Sequence, residues 1–181
     1  MKILTKLIRL FILTSIYFLP INLVADSKIL EIPFIKQNKN YCGPASLAIV
    51  FNYYDKEISQ EEIAKYIYNP ELKGTLSIDL LLFVRKHNFT SEIYKSNIQD
   101  LKQKINQNNP VIVLTKGNPV KNFSIFKNYH FFVIYGYNDD KQVFYCHSGS
   151  EKSAELKYKK LEKPWKETGN CAFLIYPENE N

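Results

Sequence analysis

The sequence predicts an α+β domain in which a helical N-terminal half is followed by an antiparallel sheet in the C-terminal half. Between Pro44 and Gln107, apolar residues recur at three- and four-residue intervals, the period of a helix with one buried side. From Val111 onward they gather into β-branched and aromatic runs divided by clusters of Asn, Asp, Ser and Gly, the pattern of strands joined by tight turns. A chain of 181 residues suits one domain with a sizeable core, and no repeat or low-complexity segment divides it.

The first 25 residues stand apart. Lys2, Lys6 and Arg9 precede and interrupt an apolar run from Leu10 to Leu19, and Leu23-Val24-Ala25 offers small-residue cleavage before Asp26. This order of basic, apolar and small residues predicts a secretory signal peptide over 1–25, with the domain over 26–181. The alternative is an uncleaved anchor, although the run is short for a span and broken by Pro20. Export places the mature chain in the periplasm or outside the cell, without a stable membrane span. Losing three basic residues lowers the formal charge from +6 to +3. With no basic patch interleaved with aromatics, nothing points to nucleic acid.

The elements follow in order. Leu30 to Ile35 reads as a short strand, confined to an edge by Pro33. Leu47, Val50, Phe51 and Tyr54 put one apolar face on a helix that begins near Pro44, where a missing N–H costs nothing. Ser59-Gln60-Glu61-Glu62 is a capping box, and Ile63, Tyr66 and Ile67 follow at helical spacing. Asn69-Pro70 stops that helix and Gly74 marks a loop. Ser77 opens another helix, read with Ile78, Leu81 and Leu82 inward, and His87 suits its C-cap better than a catalytic role. Ile93-Tyr94 suggests a brief strand, and Leu101 and Ile105 mark a helix over 98–107 that Asn108-Asn109-Pro110 ends.

Val111 to Leu114 is a continuous apolar strand, as expected when both sheet faces are covered. Tyr129 to Tyr137 is a second strand, closed by Asn138-Asp139-Asp140 and paired as a hairpin with Lys141 to His147. A short helix around Leu161 and Trp165, interrupted by Pro164, precedes a last strand over Cys171 to Tyr176. Cys146 and Cys171 either form a disulfide between C-terminal strands or remain two free thiols.

Two places carry chemistry. Cys42 lies at the N-cap of the first helix or just before it, where unpaired amides and the positive end of the macrodipole favour a thiolate. Such a thiol needs an imidazole to take its proton. His130 heads a strand that is otherwise apolar or aromatic, so a polar ring there needs a reason. Upstream, Gln37 can turn its amide back toward Cys42 as an oxyanion donor. The histidines and cysteines show no metal-ligand spacing, so no metal or cofactor is implied.

Gln37, a short polar gap and then Cys42-Gly43-Pro44-Ala45-Ser46 resembles the double-glycine leader peptidases, papain-like cysteine peptidase family thirty-nine, and their secreted stand-alone relatives. His130-Phe131-Phe132-Val133-Ile134-Tyr135-Gly136-Tyr137 matches that family's histidine strand, and Lys73-Gly74-Thr75-Leu76-Ser77 its linker. The resemblance implies a papain-like fold, a peptide or protein substrate, Cys42 as nucleophile, His130 as general base and Gln37 in the oxyanion hole. The family's strand after the histidine ends in Asp-Pro, and that Asp orients the imidazole. Here the corresponding end is His147-Ser148-Gly149, which puts Ser148 in the acid's place. A hydroxyl accepts a hydrogen bond but cannot stabilise an imidazolium as a carboxylate does. Asp139 and Asp140, the nearest carboxylates in sequence, read as turn residues. The Ser-Gly end, the Trp165 helix and the final Ala172-Phe173-Leu174 strand match a secreted branch of the family, so the resemblance spans nearly the whole mature chain. The segment from Asn118 to Tyr129, with Phe123 and Phe126, is expected to line or cover the cleft.

Overall fold

A computed structural model describes residues 27–121 and 128–178. The expected signal segment, and Phe123 and Phe126, expected at the cleft, lie outside the described residues. Within them the chain runs β1 (Ser27–Ile29), α1 (Cys42–Tyr53), α2 (Gln60–Ile67), α3 (Ser77–Lys86), β2 (Phe89–Lys95), α4 (Ile98–Asn106), β3 (Val111–Lys116), β4 (Tyr129–Asn138), β5 (Val143–Ser148), β6 (Glu151–Lys157), α5 (Tyr158–Lys166) and β7 (Cys171–Pro177). Helices dominate the first half and strands the second, with β1, β2 and α5 as the exceptions. No helix among the described residues is long and apolar enough to cross a membrane.

One antiparallel sheet of seven strands, in the order β2-β7-β3-β4-β5-β6, organises the described residues. β3 pairs with the first half of β4, and β1 takes the second half at Gly136 to Asn138. Alternation along the central strands explains their unbroken hydrophobicity. Ile112, Phe131, Val133 and Phe173 face a cluster built on α1, α2 and α3. Val111, Val113, Phe132 and Ile134 face a second cluster with α4 and α5, which contains Leu101, Ile105, Leu161 and Trp165.

That two-sided core corrects several readings. α1 has no solvent face over most of its length: Gly43 through Phe51 are all buried, because the sheet lies on one side and α2 and α3 pack on the other. On α3 the buried residues are Leu80, Phe83 and Val84, whereas Ile78 and Leu82 are 53% and 56% exposed; the inward stripe is rotated from the one expected. Tyr66 of α2 is also outside, 68% exposed. Leu30 to Ile35 is not a strand. The ladder is made upstream by β1, and beyond the bond from Leu30 N–H to the Tyr135 carbonyl (2.9 Å) the chain leaves the sheet toward Pro33, which has no N–H to donate. β6 was not legible, since its Glu-Lys-Ser-Ala-Glu-Leu-Lys sequence is that of a charged edge strand rather than an apolar run.

The caps behave as their chemistry requires. Ser59 Oγ accepts from the Glu62 N–H (3.1 Å), and His87 is the C-cap of α3, with Nδ1 2.8 Å from the Phe83 carbonyl. Cys146 and Cys171 are both free. β4 and β3 lie between their strands, a separation of about 14 Å at 4.8 Å per strand, and their side chains pack against opposite clusters, so no disulfide can join them.

Candidate active site

Cys42 is the first residue of α1 and Tyr41 its N-cap, so the cysteine stands one step further into the helix than expected, with Pro44 still inside the first turn. Gly43 is required beside it. A Cβ there would come within 2.9 Å of Thr75 Cβ, because the loop carrying Thr75 closes over the helix start. Burial pushes the Cys42 thiol up, and the backbone N–H groups of Phe131, Gly43 and Cys42 itself offset this only in part. The helix terminus does favour the thiolate, but desolvation outweighs it.

His130 is the second residue of β4, opposite Thr115 of β3. Burial and the nearby Lys121 ammonium push its pKa down to about 4. Its Nε2 lies 2.9 Å from Ser148 Oγ at the end of β5. Ser148, which the family resemblance sets in the third position, thus has its hydroxyl within hydrogen-bond distance of the imidazole. Among the described residues no carboxylate contacts the ring; Asp139 is engaged by Lys102 (2.8 Å) and Tyr158 in the β4–β5 turn.

Gln37, Cys42 and His130 line one cleft of about 250 Å³, with Lys73, Asn118 and Lys121 among the other residues of its wall. Gln37 donates its backbone N–H to the Gly149 carbonyl (3.0 Å), and its side-chain oxygen lies 3.8 Å from where a Gly149 Cβ would sit. Gly149 holds φ +66°, a conformation natural to glycine, so one turn both presents Ser148 to the imidazole and anchors Gln37. The Gln37 carboxamide makes no hydrogen bond to a described residue and remains open to a ligand. No hydrogen bond joins the Cys42 sulfur to His130 among the described residues, although both line the cleft.

One contributor escaped the sequence reading, and a second, Asn118, was read only as the first residue of a segment lining the cleft. Gln60, only 5% exposed, clamps the backbone on both sides of Gln37: its Oε1 accepts from Asn38 N–H (2.9 Å) and its Nε2 donates to the Lys36 carbonyl (2.8 Å). Its place in a capping sequence disguised this. Asn118 Oδ1 accepts from Ser148 Oγ (3.2 Å) and from the backbone of Val120 (3.0 Å). The Gly117-Asn118-Pro119 turn signal was the available hint.

A buried helix that brings a cysteine to a cleft beside a histidine-bearing antiparallel sheet is the papain-like architecture. The chain belongs to the Peptidase_C39 like family, whose model matches residues 29–173. No curated protein matches it. Among solved structures it is similar to a double glycine motif protease from an AMS/PCAT transporter, in complex with the leader peptide, at 20% identity and TM-score 0.64, covering 83% of this chain and 94% of that one. A Bacillus anthracis protein described as a C39-like peptidase aligns at 18% identity and TM-score 0.66 over 85% and 99% of the two chains. Xylellain, a cysteine protease from Xylella fastidiosa, aligns at 13% identity and TM-score 0.61 over 86% and 87%. These likenesses establish the fold.

Proposed function

We propose that this protein is an exported cysteine peptidase, acting in the periplasm or outside the cell, that hydrolyses a peptide amide bond through Cys42 and His130. The observation that carries the reading is the convergence of the α1 start, the β4 start and Gln37 on one cleft, with a hydroxyl behind the imidazole. As the Cys42 sulfur attacks the substrate carbonyl carbon, its proton passes to His130. The Gln37 carboxamide and the Cys42 backbone N–H hold the resulting oxyanion. Collapse breaks the C–N bond, the amine leaves with the proton from His130, and water hydrolyses the thioester. Ser148 stands third, orienting the ring without supplying charge. The leader-peptide complex of the transporter protease supports a peptide as substrate, and the chemistry calls for no cofactor.

A second reading is favoured by the electrostatics. Burial holds the thiol protonated and the imidazole neutral, so the resting pair is not an ion pair. A catalytically weak domain that binds peptide is consistent with that state. A thiol-dependent amidase or acyltransferase would use the same pair on another amide.

The test is the pH dependence of iodoacetamide labelling of Cys42 in the mature protein and in His130→Ala, beside peptide hydrolysis with Cys42→Ala as control. Hydrolysis lost in Cys42→Ala, with labelling that slows in His130→Ala, is the expected result. Labelling identical in both proteins, rising only near the free-thiol pKa of about 8.5, together with peptide binding but no turnover, would establish the binding domain instead.

A further inference from the structure

We propose that Asn118 is a positioning residue that selects, through Ser148, which nitrogen of His130 carries the proton. The inference rests on the peptidase reading for its purpose but not for its geometry. Asn118 Oδ1 receives the backbone N–H groups of Val120 (3.0 Å) and Lys121 (3.4 Å), contacts that a side-chain NH2 at that position would oppose. The oxygen is thereby fixed as an acceptor, and the Ser148 hydroxyl, 3.2 Å away, donates to it. With its one proton committed, Ser148 Oγ offers only lone pairs to the His130 Nε2 at 2.9 Å. That nitrogen must carry hydrogen. Nδ1 is left as the basic nitrogen for the cleft, which is what a proton acceptor for Cys42 requires.

The relay is neutral throughout. It sets tautomer and ring orientation as a carboxylate would, yet adds no negative charge to stabilise an imidazolium. The charged and titratable groups nearest the ring do not supply it. Cys42 projects from α1, Lys73 and Lys121 line the cleft, Tyr129 precedes the histidine, and the carboxylate of Glu151 is taken by Lys121 at 3.3 Å. Asn118→Asp preserves every acceptor contact while placing a charge two hydrogen bonds from the ring. Asn118→Ala removes the acceptor.

The experiment is ¹⁵N-histidine NMR across a pH titration of the mature protein, Asn118→Ala and Asn118→Asp, with the His130 signals assigned by His130→Gln, alongside iodoacetamide labelling of Cys42. The expected wild-type signature is the Nε2–H tautomer. In Asn118→Ala it should give way to a mixture, with labelling slowed about tenfold. In Asn118→Asp it should persist, with the imidazole pKa raised by about one pH unit and labelling restored. His130 signals and labelling rates unchanged in both variants would overturn the proposal. Should Asn118→Ala not fold, Ser148→Ala decides: with the hydroxyl that links Asn118 to the ring removed, the tautomer should become a mixture, and an unmixed Nε2–H tautomer would overturn the proposal. None of this needs a substrate: a protein that shows the shifts but hydrolyses no peptide keeps the relay and ends the peptidase reading.

Discussion

His130 and His147 stand on adjacent strands, β4 and β5, and burial lowers the pKa of both, yet the fold uses them in opposite ways. His147 is 4% exposed, between Phe34 (ring centroids 5.1 Å apart) and Tyr135 (4.5 Å). Its Nδ1 accepts the Ser153 N–H (3.1 Å), and its Nε2 is buried without a hydrogen-bond partner among the described residues. Both nitrogens thus face protein. At His130 the inner nitrogen meets Ser148 and the other side of the ring lines the cleft. The difference teaches that burial alone does not fit a histidine for proton transfer: one nitrogen must be fixed by the protein while the other stays open to a reactant.

The largest effect should come from exchanging the two histidines' fates. His130→Ala is expected to lower peptide hydrolysis by about 10³-fold, with the folded state retained, whereas His147→Phe leaves hydrolysis in place and costs about 1 kcal/mol of stability from the lost hydrogen bond. Steady-state kinetics and denaturant melts of both variants check this. Comparable activity losses in the two would erase the contrast.

Ser148→Ala comes next. It leaves the inner nitrogen of His130 without a partner and should lower kcat by about 10²-fold with little change in KM. Ser148→Asp should instead raise the imidazole pKa, and a pH–rate profile displaced upward would show that charge is what the natural serine withholds.

Gly43→Ala tests the nucleophile's side of the cleft. Its Cβ would press on Thr75, a crowding that costs about 1–3 kcal/mol, with a lower thermal midpoint and slower labelling of Cys42 as the readout. A variant as stable and reactive as the parent would show that the Thr75 loop yields freely.

The last effect is a slope. Below about pH 6.5 the unfolded chain protonates its histidines, while folded His130 stays neutral until about 4. The unfolded state then binds more protons, so stability falls as pH drops through that window and levels off beneath it. His147, also lowered, adds to the same slope. Thermal midpoints between pH 4 and 7 should vary less in His130→Gln than in the parent, and a slope unchanged by that substitution would mean that the ring already protonates at its ordinary pKa.

Much of this was readable beforehand where a single side chain speaks for itself. The spacing of Leu101 and Ile105, the run from Val111, the aromatic strand closed by Asn138-Asp139-Asp140, and the pairing of the Cys42 and His130 motifs all encode local periodicity or local chemistry. Elements that owe their place to distant neighbours were misjudged. Ile78 and Leu82 are hydrophobic enough to be core, but the position of α1 selects Leu80, Phe83 and Val84 instead. β6 is polar because it borders solvent, and Gln60 is buried because the Gln37 segment needs its backbone held.

What the sequence determined by itself is therefore the five helices, the central strands, the α+β class and the two motifs that carry Cys42 and His130, since hydrophobic period, caps and turn residues act within a few positions of the chain. Only the tertiary structure decided that the hydroxyl of Ser148 reaches the His130 ring, that Asn118 stands behind it, that Cys146 and Cys171 lie too far apart to bond, and that burial rather than the helix terminus governs the Cys42 thiol. Those outcomes depend on distances and on desolvation, and both are set by which strands become neighbours when the sheet closes.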